Sequence, residues 1–175
     1  MTLRSEYSIV PPVLHHSTVK YSFGKHDRGS AWLEHRHPDV IVVPGSPGTA
    51  RRAVETLARY FQREFQYDFR FLAEDEVDYV AYLWTLELWD TDAFNQLAIG
   101  TCVFYPHGDS WTLAFVWIHP FFRSQGILSR SWDYFKSRFG RFRVECPLSP
   151  AMKRFLIKQK YEGPGFDWKF LETCE

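Results

Sequence analysis

Residues 116 to 129 read Val-Trp-Ile-His-Pro-Phe-Phe-Arg-Ser-Gln-Gly-Ile-Leu-Ser. Just upstream, Leu113, Phe115 and Trp117 alternate with Ala114, Val116 and Ile118, which predicts a strand. Downstream, Leu128, Trp132, Phe135 and Phe139 recur at helical spacing. The turn Arg123-Ser124-Gln125-Gly126 therefore stands at a helix N-terminus. The first turn of a helix leaves its N–H groups without internal partners and its dipole favours negative charge, so this turn suits a phosphate.

Working outward, residues 79 to 89 are apolar at nearly every position, with Val80, Tyr82, Trp84, Leu86 and Leu88 on one face and Tyr79, Ala81, Leu83 and Trp89 on the other. A strand covered on both sides belongs inside a sheet with helices packed on it. Asp90 to Ala93 reads as a turn, Gln96 to Tyr105 as the next strand, and His107-Gly108-Asp109 as the turn into the strand Trp111 to Ile118. These three predict an antiparallel meander. Upstream, Ser46-Pro47 reads as a cap and first helical residue, and Val54, Leu57, Ala58, Phe61 and Phe65 give a helix of four to five turns that fades near Tyr67. Downstream, Gly140 ends the 127 to 139 helix, and Phe142, Val144 and Cys146 alternate as a short strand. Ser149-Pro150 caps another helix with Met152, Phe155 and Leu156 facing inward. Phe166, Trp168 and Phe170 suggest a final strand. Residues 1 to 39, with a strand-like piece at Thr18 to Phe23, read as an N-terminal arm before a domain over 40 to 175.

The chain has 175 residues, 45% hydrophobic and 18% aromatic, enough for one domain to bury about 70% of its unfolded surface. Cys102, Cys146 and Cys174 are odd in number and not closely spaced, so neither a disulfide framework nor a thiol zinc site is implied, and a reducing cytoplasm fits best. No apolar run approaches the roughly 20 residues that span a bilayer, so no membrane role is expected. His15-His16 and His35-Arg36-His37 lack the convergent third and fourth ligands that zinc requires, and no metal is assigned. Net charge is zero but segregated: residues 121 to 160 hold ten Lys or Arg against Asp133 and Glu145, whereas residues 74 to 92 hold seven acidic residues and no basic one. The first stretch would attract a polyanion and the second a cation.

The stretch 118 to 128 resembles the acetyl-CoA motif of the GNAT acetyltransferase superfamily, V-x-P, two residues, then R/Q-x-x-G-x-G/A. Here it runs Ile118-His119-Pro120, Phe121-Phe122, Arg123-Ser124-Gln125-Gly126-Ile127-Leu128, with Leu128 where the family prefers Gly or Ala. The order of helices and strands over roughly residues 40 to 172 is also similar to that family. The resemblance implies an α/β (α+β) fold, a mixed and mostly antiparallel sheet flanked by helices, with acetyl-CoA as co-substrate. It implies that the strands ending near Ile118 and starting near Phe142 splay apart. The backbone of Val116, Trp117 and Ile118 would then hold the pantetheine arm, and Arg123 with the amides of Ser124, Gln125, Gly126, Ile127, Leu128 and Ser129 would hold the pyrophosphate.

Acyl transfer to an amine needs a base, and in some cases an acid for the thiolate. Glu87, a lone carboxylate on an apolar strand, and Glu145, at the end of the strand after the cofactor helix, are the base candidates. Many members carry a tyrosine acid ahead of a closing G-F pair. Aligning Lys160-Tyr161 with that pair puts Leu156 in its place, leaving Ser149, Tyr134 and Tyr161 as substitutes. The expected activity is N-acetylation of a primary amine by direct attack in a ternary complex. The acceptor is left open between a small molecule, a protein amine and an aminoacyl-tRNA, and the aromatic residues Phe121, Phe122, Trp32, Trp84 and Trp89 between an acceptor pocket, a homodimer face and, as the default for most of them, plain core packing. The alternative is a non-catalytic CoA-binding or protein-interaction module of the same fold.

Overall fold

The computed structural model describes residues 9–15, 40–68, 70–74, 77–90 and 93–164. The apolar run that begins at Tyr79 forms β3 (Val80–Asp90), which pairs antiparallel with β4 (Ala93–His107), and β4 pairs antiparallel with β5 (Ser110–Ile118). This is the meander expected from the alternation, with β4 longer than its apolar part suggested. β2 (Val40–Val42) adds outside β3 and β6 (Arg143–Val144) outside β5, the latter in parallel. β1 (Val13–His15) pairs with β4 at Asn95 to Leu97, beyond the point where β5 ends. The sheet order is β2-β3-β4-β5-β6, with β1 off this path. The fold is thus α/β, with a mixed, mostly antiparallel sheet and helices on both faces.

α1 (Gly48–Phe65) covers one face. Its buried residues Ala50, Ala53, Val54, Leu57 and Ala58 follow the i, i+3, i+4, i+7, i+8 spacing of one helical stripe, and they pack with Ala81, Leu83, Val103, Phe115 and Trp117. α2 (Ile127–Phe139) and α3 (Pro150–Lys158) cover the other, where Trp132, Phe135, Phe139 and Leu156 meet Tyr82, Trp84, Phe104 and Leu113. Phe104 stacks on Phe139 at 4.1 Å between centroids and meets Phe142 edge-on at 5.1 Å. Each such ring removed from water contributes about 1.5–3 kcal/mol, so aromatic packing holds α2 against β4. No helix among the described residues is long and apolar enough to cross a membrane.

Four local expectations are revised. Pro47 is itself the N-cap of α1, and Ser46 instead closes the preceding turn, its Oγ accepting from the Val43 N–H at 2.9 Å. The strand expected around Phe142 to Cys146 shrinks to the two residues of β6. Cys146 is disulfide-bonded, although the cysteine pattern had implied no bridge, and its partner lies outside the described residues. Of the region read as an N-terminal arm, residues 9–15 join the sheet and Leu14 is fully buried. The strand expected at 166 to 170 and the piece at 18 to 23 lie outside the described residues.

Two register shifts shape β4 and β5. Trp84 faces Gly100 and Thr85 faces Ala98, leaving Ile99 as an extra residue in β4; Val103 faces Phe115 and Phe104 faces Leu113, leaving Ala114 as an extra residue in β5. At Gly100 a Cβ would lie 2.9 Å from the Trp117 carbonyl oxygen and 3.1 Å from the Trp84 ring, so only glycine lets β4 and β5 approach there. Gly100→Ala is expected to destabilise the fold by about 1–3 kcal/mol, as overpacking of a core does, and to lower the melting temperature by several degrees in calorimetry.

Candidate active site

β5 is held very differently on its two edges. Along β4 it is paired from Ser110 to Ile118, whereas β6 pairs with it only at Thr112 and Leu113, extended by the Glu145 N–H donating to Leu113 O at 3.0 Å. Past that point the chain turns away through the cis Cys146–Pro147 bond toward α3. The opening is a cleft of about 210 Å³ between Leu113 to Val116 on β5, Val144, Glu145 and Pro147 to Ser149 opposite, and Phe61, Phe65 and Tyr67 at the end of α1.

Alternation decides which main-chain groups face this opening. The His119 N–H donates to Ile99 O at 2.8 Å, so the hydrogen-bonded pairs along β4 fall at alternate positions and direct the amide and carbonyl of Trp117 at β4. Val116 and Ile118 then face the open edge. The Ile118 carbonyl accepts from Arg123 Nε at 2.8 Å. Of the three residues expected to contact a pantetheine arm, Val116 and Ile118 face the open edge, the Ile118 carbonyl engaged by Arg123, and Trp117 is turned to β4.

At the end of β5 the chain makes a 3-10 turn, Pro120–Phe122. His119 caps it: Nδ1 accepts from the Phe121 N–H at 3.2 Å, which leaves the proton on Nε2 for the Ile9 carbonyl at 3.1 Å. Ser124 and Gly126 adopt left-handed backbone, with φ of 63° and 77°, the kind of turn that aims successive N–H groups inward. Gly126 is the N-cap of α2. Ile127 and Leu128 pack their side chains against the aromatic core, so the bulk of Leu128 is directed into the protein. Ser124, Gln125 and Ser129 are exposed. Among the described residues, no hydrogen bond is donated by the main-chain nitrogens of 124 to 129.

Arg123 departs from the role expected for it. Its Nη1 and Nη2 each donate to the Glu64 carboxylate at 2.6 Å, and the guanidinium lies 5.8 Å from the Trp117 ring centre. Trp117 Nε1 donates to the same carboxylate at 2.9 Å. The side chain thus fastens the turn to α1, and the anion it grips is the Glu64 carboxylate. Arg130, unremarked in the sequence, lies beside the turn: Nη1 donates to Gln125 O at 2.7 Å and sits 3.1 Å from where a Gly126 Cβ would be. Its Nε is buried with no hydrogen-bond partner among the described residues. Only its spacing, one helical turn after Gly126, hinted at this.

The catalytic candidates separate. Glu145 lines the cleft; the residue is exposed as a whole, yet burial against the apolar lining pushes its carboxyl above the ordinary carboxylate range. Glu87 is corrected: it is an exposed residue of β3 opposite Gln96 and does not line the cleft. Ser149 lines the cleft, but its Oγ caps α3 by accepting from the Met152 N–H at 3.2 Å. Tyr161 exchanges hydrogen bonds with both Phe142 main-chain groups, and Tyr134 packs against Tyr82 on the α2 face; neither lines the cleft. Tyr67 was missed. Its hydroxyl donates to the Cys146 carbonyl, and burial together with the neighbouring Glu145 charge pushes it above the ordinary phenol range.

Burial pushes the Glu64 carboxyl up, but the hydrogen bonds from Arg123 and Trp117 and the Arg123 charge outweigh it and hold the group below its ordinary value of 4.5. A depressed carboxyl adds stability above its unfolded value that is lost as pH falls through the folded one. The contribution of this lock should therefore disappear between pH 4.5 and the more acidic folded value. Glu64→Gln should cost about 1–2 kcal/mol at pH 7, the half-exposed Arg123 end being screened by solvent, and nothing below that window. Parallel urea melts of both proteins across acid pH measure this; an equal gap at every pH would contradict it.

No family model and no curated protein matches this chain. Among solved structures it matches the crystal structure of ribosomal-protein-alanine N-acetyltransferase from Brucella melitensis biovar Abortus 2308, at 15% identity and a TM-score of 0.47, over 73% of this chain and 93% of that chain.

Proposed function

We propose that this chain is an acetyl-CoA-dependent N-acetyltransferase of the GNAT type, acting on a primary amine. One observation carries the reading: the unspent amides of residues 124 to 129, at the start of α2, adjoin the open edge of β5, and that edge leads into the cleft that holds Glu145. A diphosphate fits the turn, because the helix start favours an anion and the Arg130 guanidinium lies beside it. The Val116 main chain would pair with the amide-bearing arm as a neighbouring strand would. Acetyl-CoA supplies an activated thioester. The residues of this chain supply alignment and proton transfer.

Glu145 is the base. An amine arrives as an ammonium, and burial, by raising the Glu145 pKa, makes its carboxylate a stronger acceptor for that proton. The free amine then attacks the thioester carbon. Tyr67 has the only tyrosine hydroxyl among the cleft-lining residues, and we assign it the proton delivered to the departing sulfur, for which its hydrogen bond to the Cys146 carbonyl must open.

Gly126→Glu should abolish acetyl-CoA binding in calorimetry, since the new carboxylate would engage Arg130 and cover the amides; retained affinity would refute the anion site. Glu145→Gln should lower kcat by about 10²–10⁴ with acetyl-CoA affinity within a few-fold. Because the active base is the ionised form, wild-type kcat/KM should rise with pH through the raised Glu145 value, and this limb should vanish in the variant. A limb that persists unchanged would move the base elsewhere.

A further inference from the structure

The acceptor-facing part of the cleft has a chemistry of its own. Phe61 is its hub, with ring centres 5.1 Å from Phe65, 5.5 Å from Tyr67 and 5.1 Å from Phe115. Phe65, at the cleft, leaves 40% of its surface in water, so part of its ring is open to an apolar guest. Among the lining residues Glu145 is the one charged group, and no Lys or Arg joins it.

Resting on the acetyltransferase reading above, we propose that the acceptor is a monoamine carried on an aromatic or bulky apolar body, seated against Phe61, Phe65 and Tyr67 with its ammonium at Glu145. The charge count selects this class. A polyamine would bring several ammonium groups to a cleft whose lining offers a single carboxylate. An aminoacyl-tRNA would find no cation for its phosphates among the residues that line the cleft. An aromatic body instead gains apolar contact on the rings, and its ammonium gains both the carboxylate and the aromatic faces. In the reaction the ammonium gives a proton to Glu145, the C–N bond forms at the acetyl carbon, the C–S bond breaks, and the products are the amide, the free thiol and one proton.

The test uses the full chain with acetyl-CoA and three probes: phenethylamine, spermidine and a lysine-containing peptide, read by thiol release. The expected kcat/KM for phenethylamine exceeds that of the other two by at least tenfold. Phe65→Ala, at a half-exposed position that folding tolerates, should lower it about tenfold, mainly through KM. Acetyl-CoA binding with preferred turnover of spermidine or the peptide would overturn the acceptor class and leave the donor reading standing. If acetyl-CoA does not bind, the donor reading falls, and calorimetry with phenethylamine alone decides the pocket. Binding that weakens in both Phe65→Ala and Glu145→Gln would uphold the amine site, and no binding would overturn it.

Discussion

The site depends on an asymmetry in β5. One edge of the strand is fully engaged with β4, and the other is released after two residues of β6. Backbone groups cannot be left buried and unpaired without cost, so a strand released this way must face water or a guest. Here the released edge opens onto an apolar cleft, where main-chain polarity is scarce and a hydrogen-bonding ligand gains most. The extra residue Ala114 falls within the released stretch. Its bulge redirects the strand where the cleft is lined by Ala114 and Glu145 together.

A released edge is only useful if it stays put, and Arg123 supplies the restraint. One guanidinium joins the last carbonyl of β5 to a carboxylate on α1, while the Trp117 indole adds a third attachment to that carboxylate. The turn is thereby fixed by side chains, which leaves its amides unspent. A turn held by its own main-chain bonds would have been equally rigid and chemically mute.

How much of this could be read from the sequence follows the range of the interactions. The strand, turn and helix around Gly126 were legible because alternation, helical spacing and a glycine at positive φ are local signals. The partner of Arg123 was not. Glu64 lies 59 positions away on a helix face that reads as solvated, so the arginine appeared available for an anion. The choice between Glu87 and Glu145 failed to resolve for a similar reason. A carboxylate on an apolar strand looks purposeful, but Glu87 is an exposed residue of β3, and only the tertiary arrangement brings the apolar wall of α1 to Glu145. Tyr67 carried no signal, because it follows the left-handed residue Gln66 that ends α1 and belongs to no periodic pattern.

β1 also bears on how the molecule behaves among its copies. It lines up against β4 where β5 has already ended, and the Pro12 carbonyl and the His119 ring bind it in place. Without that short strand, the far half of β4 would present a bare rank of donors and acceptors to any passing chain. By occupying it, residues 9–15 act as a built-in stopper against strand-to-strand aggregation, a liability that every open sheet has to manage.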